Sequence, residues 1–139
     1  PDPRRVAARL GVAARVRFVG WVEEADKPAL MAAASLFVFP STYEGFGLPV
    51  LEALACGTAT VTTDVSSLPE IAGGAACLVP PGDVHALRGA LDELMQDGEA
   101  RRALAAAGPA QAARFSWARC ATETRAAYER AVAARGGAG

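Results

Sequence analysis

Two carboxylates, Glu44 and Glu52, bracket the stretch EGFGLPVLE, with Gly45, Gly47 and Pro49 between them. The two glycines open backbone angles closed to other residues and leave no side chain between the backbone and an approaching ligand. Pro49 suits the first turn of a helix, where its missing N–H costs nothing. The amides around Gly47, Leu48 and Val50 are then expected to point outward at the positive end of a helix dipole, which makes an anion site, most often for phosphate. Glu52 lies four residues past Leu48, on the same helical face, and its Cβ tilts back toward the N-terminus. A carboxylate there repels a phosphate directly above it and suits a neutral diol such as a ribose. Glu44, on the loop before the glycines, can reach across the phosphate pocket to whatever is attached beyond. One carboxylate at each end of a diphosphate suggests a nucleotide sugar. The spacing alone equally allows a plainer set of roles, with Glu52 a first-turn glutamate favoured by the dipole, Glu44 a solvated loop residue and the glycines turn formers.

The elements that must position these groups are readable as an alternation. Val16–Gly20 (VRFVG), Leu36–Pro40 (LFVFP), Thr58–Thr63 (TATVTT) and Cys77–Pro80 (CLVP) are short apolar runs ended by Gly, Pro or polar residues, and are predicted to be buried strands. Between them DKPALMAAA, GLPVLEALACG and SSLPEIAG have helical character. Such alternation predicts an α/β fold, a Rossmann-like parallel sheet with flanking helices. In open parallel sheets ligands bind outside the carboxyl ends of the strands, which is where PSTYEGFGLPVLEALACG leaves LFVFP and enters a helix. From Asp83 the pattern is helical only, with Asp83 and Ser116 as N-caps, Gly98 and Gly108 as punctuation, and Gly136–Gly139 as a frayed tail. The expected division is a core over 16–97 and C-terminal helices over 99–135. A helical lead-in, RRVAARLGV, followed by four strands looks like the later half of a doubly wound domain, so the chain is expected to be part of a longer protein. An unpaired sheet edge would invite a homodimer or a strand exchange.

Composition narrows the partners. The 139 residues are 52% hydrophobic, as a globular core requires, and the formal net charge is −1 with Lys and Arg scattered rather than massed, so no nucleic-acid footprint is present. Cys56, Cys77 and Cys120 form no CxxC pair and are odd in number. They read as small buried apolar residues in a reducing compartment, neither a disulfide framework nor a zinc site. The apolar runs fall short of the ~20 residues of a membrane span, and PDPRRVAARL carries no apolar signal core. The expected location is cytoplasmic, with peripheral contact at the inner membrane left open for a longer parent.

FPSTYEGFGLPVLEALACGT resembles the hallmark segment of family 4 glycosyltransferases, retaining enzymes with the GT-B fold, whose Glu-x7-Glu spacing Glu44 and Glu52 meet. The resemblance extends through VRFVGWVEEADKPALMAAASLFV upstream and TTDVSSLPEIAGGAACLVPPGDVHALRGAL downstream to FSWARCA, almost the whole chain. It implies the later half of the C-terminal, donor-binding domain of an enzyme that transfers a sugar from a nucleotide diphosphate with retention of configuration. In that family pattern Glu52 holds the donor ribose, Glu44 contacts the transferred sugar, and backbone amides across Gly45, Phe46, Gly47 and Leu48 meet the diphosphate. Val22 and Lys27 fall at the nucleobase pocket, although Lys27 is also compatible with a first-turn surface residue. No metal and no cofactor is implied beyond the donor, a UDP-, GDP- or ADP-sugar.

Departures from the pattern matter as well. The family's Arg and Lys pair belongs to a segment upstream of Val16, and the acceptor-binding N-terminal domain with its glycine-rich loop is not in this sequence, so the chain alone is expected to be inactive. Ala59 stands where proline is frequent and Gly74 where aspartate is common. Catalysis would rest on stabilising the departing diphosphate, with Glu44 and Glu52 at the catalytic centre as positioning groups rather than acid and base. Alternatives from other classes are a non-catalytic nucleotide-sugar-binding module and a Rossmann-like interaction module. His85 reads as a surface helix residue, Trp21 as a candidate border of the base pocket, Trp117 as an anchor of the last helix to the core, and Leu91, Leu94 and Leu104 as packing positions.

Overall fold

Three of the four apolar runs pair as strands in the computed structural model, which describes residues 2–136. Strands β1 (Phe37–Phe39), β2 (Thr60–Thr63) and β3 (Ala76–Val79) form a parallel sheet in the order β1-β2-β3, with Val38 opposite Val61 and Val61 opposite Cys77. All four residues of the central β2 are buried although three are threonines. Their β-branched side chains suit a strand, and each hydroxyl is satisfied: Thr60 donates to the Thr58 carbonyl, Thr62 to that of Phe39 and Thr63 to that of Ser41. The last two bonds tie β2 to the carboxyl end of β1, so this polar strand fixes where the following loop begins.

The expected strand at 16–20 is a correction. Val16 begins extended, at φ −110° and ψ 123°, and Gly20 turns at φ +69°, but no ladder bond joins this stretch to another strand among the described residues. A strand exists only through its partner, and Val16 and Val19 remain exposed.

Helices α1 (Pro3–Arg9), α2 (Lys27–Ala32), α3 (Leu48–Ala55), α4 (Leu68–Ala72), α5 (Val84–Gln96), α6 (Gly98–Ala112) and α7 (Trp117–Gly136) complete the chain, with a 3₁₀ turn at Ala13–Arg15. Two cores result. Val50, Leu54, Leu68, Ile71, Ala75 and Ala112 gather between α3, α4 and α6, joined by Phe39 and Phe115. Val61, Val79, Ala90 and Leu94 form the other, with Cys77, Leu91 and Leu104 against it. The period-two alternation of β3 therefore sends Ala76 to one core and Cys77 and Val79 to the other.

Asp83 caps α5 by accepting from the His85 and Ala86 amides at 2.9 Å, and the Ser116 hydroxyl accepts from the Arg119 amide at 3.1 Å. Gly98 opens α6 behind a further cap, Asp97. Gly108 does not punctuate: α6 continues through it, because a Cβ there would stand 2.6 Å from the Leu54 carbonyl oxygen, and glycine is what lets α6 lie against α3. Three other expectations are corrected. Trp117 is 81% exposed rather than an anchor, because nearly the whole of α7 is exposed and buries no residue against the core. Cys56 and Cys77 are half-buried and Cys120 is exposed, so burial is not their common property. The expected frayed tail lies outside the described residues, apart from Gly136 at the end of α7.

Candidate functional site

The loop from β1 to α3 is held at both ends, by the end of β2 and by the turn that follows it. The Thr63 hydroxyl donates to the Ser41 carbonyl, and the Ser67 hydroxyl donates to the Phe46 carbonyl at 2.6 Å. Within the loop the Ser41 hydroxyl lies 2.9 Å from both Glu44 Oε1 and the Tyr43 carbonyl, which orients the half-buried Glu44. Gly47 sits at φ +102°, and a Cβ on it would meet Leu68 Cδ2 at 2.7 Å, so both backbone angle and space demand glycine. The chain turns there directly into α3.

The amides of Gly45, Phe46, Gly47 and Leu48 have no acceptor among the described residues. They line the loop that enters the N-terminus of an eight-residue helix, with Leu48 its first residue, where an anion is stabilised. Val50 departs from expectation: its amide donates to the Gly47 carbonyl at 3.0 Å and the residue is fully buried, so the open amides end at Leu48. Phe46 packs edge-on against Phe115 with ring centroids 6.0 Å apart.

Glu52 and Lys27 meet in a cavity of about 200 Å³ lined by Glu24, Lys27, Pro28, Met31, Glu52 and Cys56, with Ala55 completing the wall. α2 supplies Lys27 and α3 supplies Glu52, and both side chains are half-buried. The Lys27 ammonium is ion-paired with Glu24. That hydrogen bond chiefly, with the charges of Glu24 and Glu52 adding and partial burial opposing, holds the Lys27 pKa above its ordinary value. Glu24 is a site residue that sequence reasoning misses. Its signal is the Glu24-x-x-Lys27 spacing ahead of Pro28, which places the carboxylate over the first turn of α2.

Val22 is half-buried but does not line this cavity, and Trp21 is 81% exposed on the same segment. His85 is exposed on the first turn of α5. Phe46 and Leu48 border a second cavity of about 750 Å³, together with Leu51, Arg114, Phe115 and Trp117, so the α3 N-terminus stands between two recesses. Among the described residues no group of three His, Cys, Asp or Glu side chains could hold a metal ion. What the arrangement can do is bind an anion at the Gly45–Leu48 amides and present Glu52 as an acceptor for hydroxyls. Beyond it stands a carboxylate–ammonium pair.

Relatives place this geometry. The chain is 46% identical over 114 residues to the O-antigen chain mannosyltransferase B of Escherichia coli, covering 82% of this chain and 30% of the relative. It is 37% identical over 133 residues to the MMP alpha-(1->4)-mannosyltransferase of Mycolicibacterium hassiacum, covering 93% of this chain and 32% of the relative. Sucrose-phosphate synthase from Thermosynechococcus elongatus superposes with a TM-score of 0.84 at 30% identity, over 95% of this chain and 34% of that one. Anabaena HepE in complex with UDP-glucose superposes with a TM-score of 0.75 at 28% identity, over 81% of this chain and 31% of that one. The α/β expectation, a parallel sheet flanked by helices with a helical C-terminal segment, matches the architecture these GT-B structures share. The chain spans about a third of the length of these relatives. The sequence pattern of the family described as "Glycosyl transferases group 1" matches residues 3–111, and the chain belongs to that family.

Proposed function

We propose that this site binds the nucleotide-diphosphate portion of a sugar donor, and that the whole protein, a family 4 enzyme, transfers a hexose from it to an acceptor with retention of configuration. The observation that carries the proposal is the juxtaposition of four open amides, running from the Gly45–Gly47 loop into Leu48 at the start of α3, with Glu52 one turn further on. The amides of Gly45, Phe46, Gly47 and Leu48 take the diphosphate, Glu52 takes the ribose hydroxyls, Glu44 faces the sugar, and Lys27 and Val22 lie toward the base. In transfer, the bond from the anomeric carbon to the diphosphate oxygen breaks with its electron pair going to the diphosphate. The acceptor hydroxyl forms the new bond on the same face and passes its proton to the departing diphosphate oxygen. Stabilising the leaving diphosphate is electrostatic work suited to the helix N-terminus. Mannose is the sugar favoured by the names of the matched relatives.

The same proposal assigns the acceptor to a separate N-terminal domain, so this chain binds donor without turning it over. It calls for no metal and no cofactor. Three free cysteines fit a reducing, cytoplasmic setting, with any contact to the inner membrane peripheral. Among the described residues β1 is paired on one side only, which offers its other edge to a second copy; light scattering that returns a clean monomer removes that element. The donor site itself is tested by calorimetric titration with nucleoside diphosphates: binding that weakens ~10-fold or more in Glu52→Gln, at unchanged thermal stability, supports it. Equal affinity in both proteins contradicts it.

A further inference from the structure

The two side-chain bonds that tie the β1–α3 loop to the next segment act on different peptides. The Thr63 hydroxyl donates to the Ser41 carbonyl, whose peptide plane carries the Thr42 amide, outside the Gly45–Leu48 set. The Ser67 hydroxyl donates to the Phe46 carbonyl at 2.6 Å, and that plane carries the Gly47 amide. In a trans peptide, as here, the carbonyl and the following N–H point to opposite edges of one rigid plane. A bond to the Phe46 carbonyl therefore aims the Gly47 N–H away from Ser67, and that N–H has no acceptor among the described residues.

The turn before α4 commits Ser67 to this loop rather than to its own helix. Ser67 occupies the N-cap position of α4, where serine ordinarily accepts from an amide of the first turn, yet its side chain makes no cap bond. Ser66, immediately before it, is the one non-glycine residue at positive φ among the described residues, at +51°. The Leu68 amide closes the turn on the Val65 carbonyl at 3.0 Å and so holds the left-handed residue in place. Strain of this kind persists where the surroundings over-determine it, and it gathers at functional segments. Leu68, fully buried, supplies the methyl that fills the space beside Gly47, so adjacent residues of one turn fix both the plane and the seat of the Phe46–Gly47 peptide.

We propose that Ser67 is a positioning residue: through the Phe46 carbonyl it holds the Gly47 amide open and aimed before an anion arrives. The role rests on the proposed donor site, in which the Gly47 amide is one of four that take the diphosphate. Ser67 acts through Phe46 and is not itself a ligand of the anion. Without its hydroxyl the Phe46–Gly47 peptide can rotate, because glycine resists rotation less than any other residue, and binding must then order it.

The test is amide NMR titration of the chain with GDP and with UDP, in the parent, in Ser67→Ala and in Ser67→Thr. The Ser67 side chain joins neither core and caps no helix, so Ser67→Ala is expected to stay folded, which chemical denaturation checks. The expected result is ~10-fold weaker binding in Ser67→Ala, the scale of one hydrogen bond, and affinity close to the parent's in Ser67→Thr, which keeps the hydroxyl. At saturating ligand the shift of the Gly47 amide should shrink in Ser67→Ala while that of Gly45 is kept. Parent affinity together with a parent Gly47 shift in Ser67→Ala overturns the proposal and leaves the donor site standing. Shifts reduced equally at all four amides overturn it as well, because Ser67 would then only hold the loop as a whole. Ser67→Thr binding as weakly as Ser67→Ala does the same, since the hydroxyl would not be the cause. Failure of the parent to bind either nucleotide removes the donor site, and this role with it.

Discussion

Lys27 on α2 and Glu52 on α3 line one cavity, and the negative charge of Glu52 is among the influences that keep Lys27 protonated. The two helices that flank β1 in the chain thus deliver opposite charges to the same cavity. Lys27→Met is expected to lower nucleoside diphosphate affinity ~10-fold, the scale of one hydrogen bond from a charged donor. Calorimetry checks it; unchanged affinity would make Lys27 a surface residue of α2.

Gly47 is constrained twice, by φ +102° and by Leu68 Cδ2, which would lie 2.7 Å from a methyl group at this position. Gly47→Ala should destabilise the chain by ~1–3 kcal/mol, the scale of a strained non-glycine residue. It should also shift the open amides around it, Gly45 to Leu48. Chemical denaturation reads the first effect and nucleotide titration the second. Stability equal to the parent would show that the α3 entrance tolerates another geometry.

Two helical glycines should respond with opposite signs. Gly108→Ala places a methyl 2.6 Å from the Leu54 carbonyl oxygen and must push α6 off α3, a loss of ~1–3 kcal/mol. Gly89→Ala, inside α5 with nothing within 4 Å of the new methyl, should gain ~0.5–1 kcal/mol from the better helix former. Paired denaturation curves decide; a gain at Gly108 would contradict the close approach of the two helices.

The Asp97 cap predicts an acid dependence. Hydrogen bonds from the Ala100 and Glu99 amides, first in that order, hold its carboxyl below the ordinary 3.8, with Arg102 and Arg101 assisting and slight burial opposing. A depressed carboxylate pKa stabilises the fold above the unfolded-state value and loses that contribution as pH falls through the folded value. Asp97→Ala should therefore melt below the parent by a constant margin from neutral pH down to about pH 4, and the margin should shrink at lower pH. A margin independent of pH would show that the cap is not electrostatic.

Local chemistry is legible in the sequence wherever its partners are local. Asp83 and Ser116 act as caps because a cap is decided within three residues, and EGFGLPVLE turns from loop to helix at Gly47 because its glycines and proline carry that instruction themselves. Features that depend on distant partners are not legible. VRFVG has strand composition, but pairing is decided elsewhere in the sheet. Gly108 looks like punctuation, and its reason is the carbonyl of Leu54 on another helix. Gln111 gives no signal, yet it is buried on α6 and donates to the Glu70 and Ile71 carbonyls at the end of α4. Glu24 carries only a local signal, its spacing to Lys27, and its place on the cavity appears only when α3 brings Glu52 to the same wall.

The most direct measurement is an amide NMR titration of the chain with nucleoside diphosphates, in the parent and in Glu52→Gln. A donor site at the α3 N-terminus predicts shifts concentrated at the Gly45, Phe46, Gly47 and Leu48 amides, with Val50 little affected because its amide is already bonded to Gly47. These shifts should require higher ligand concentration in the variant. Shifts centred elsewhere, or a response identical in both proteins, would contradict the assignment of the diphosphate and ribose to this helix.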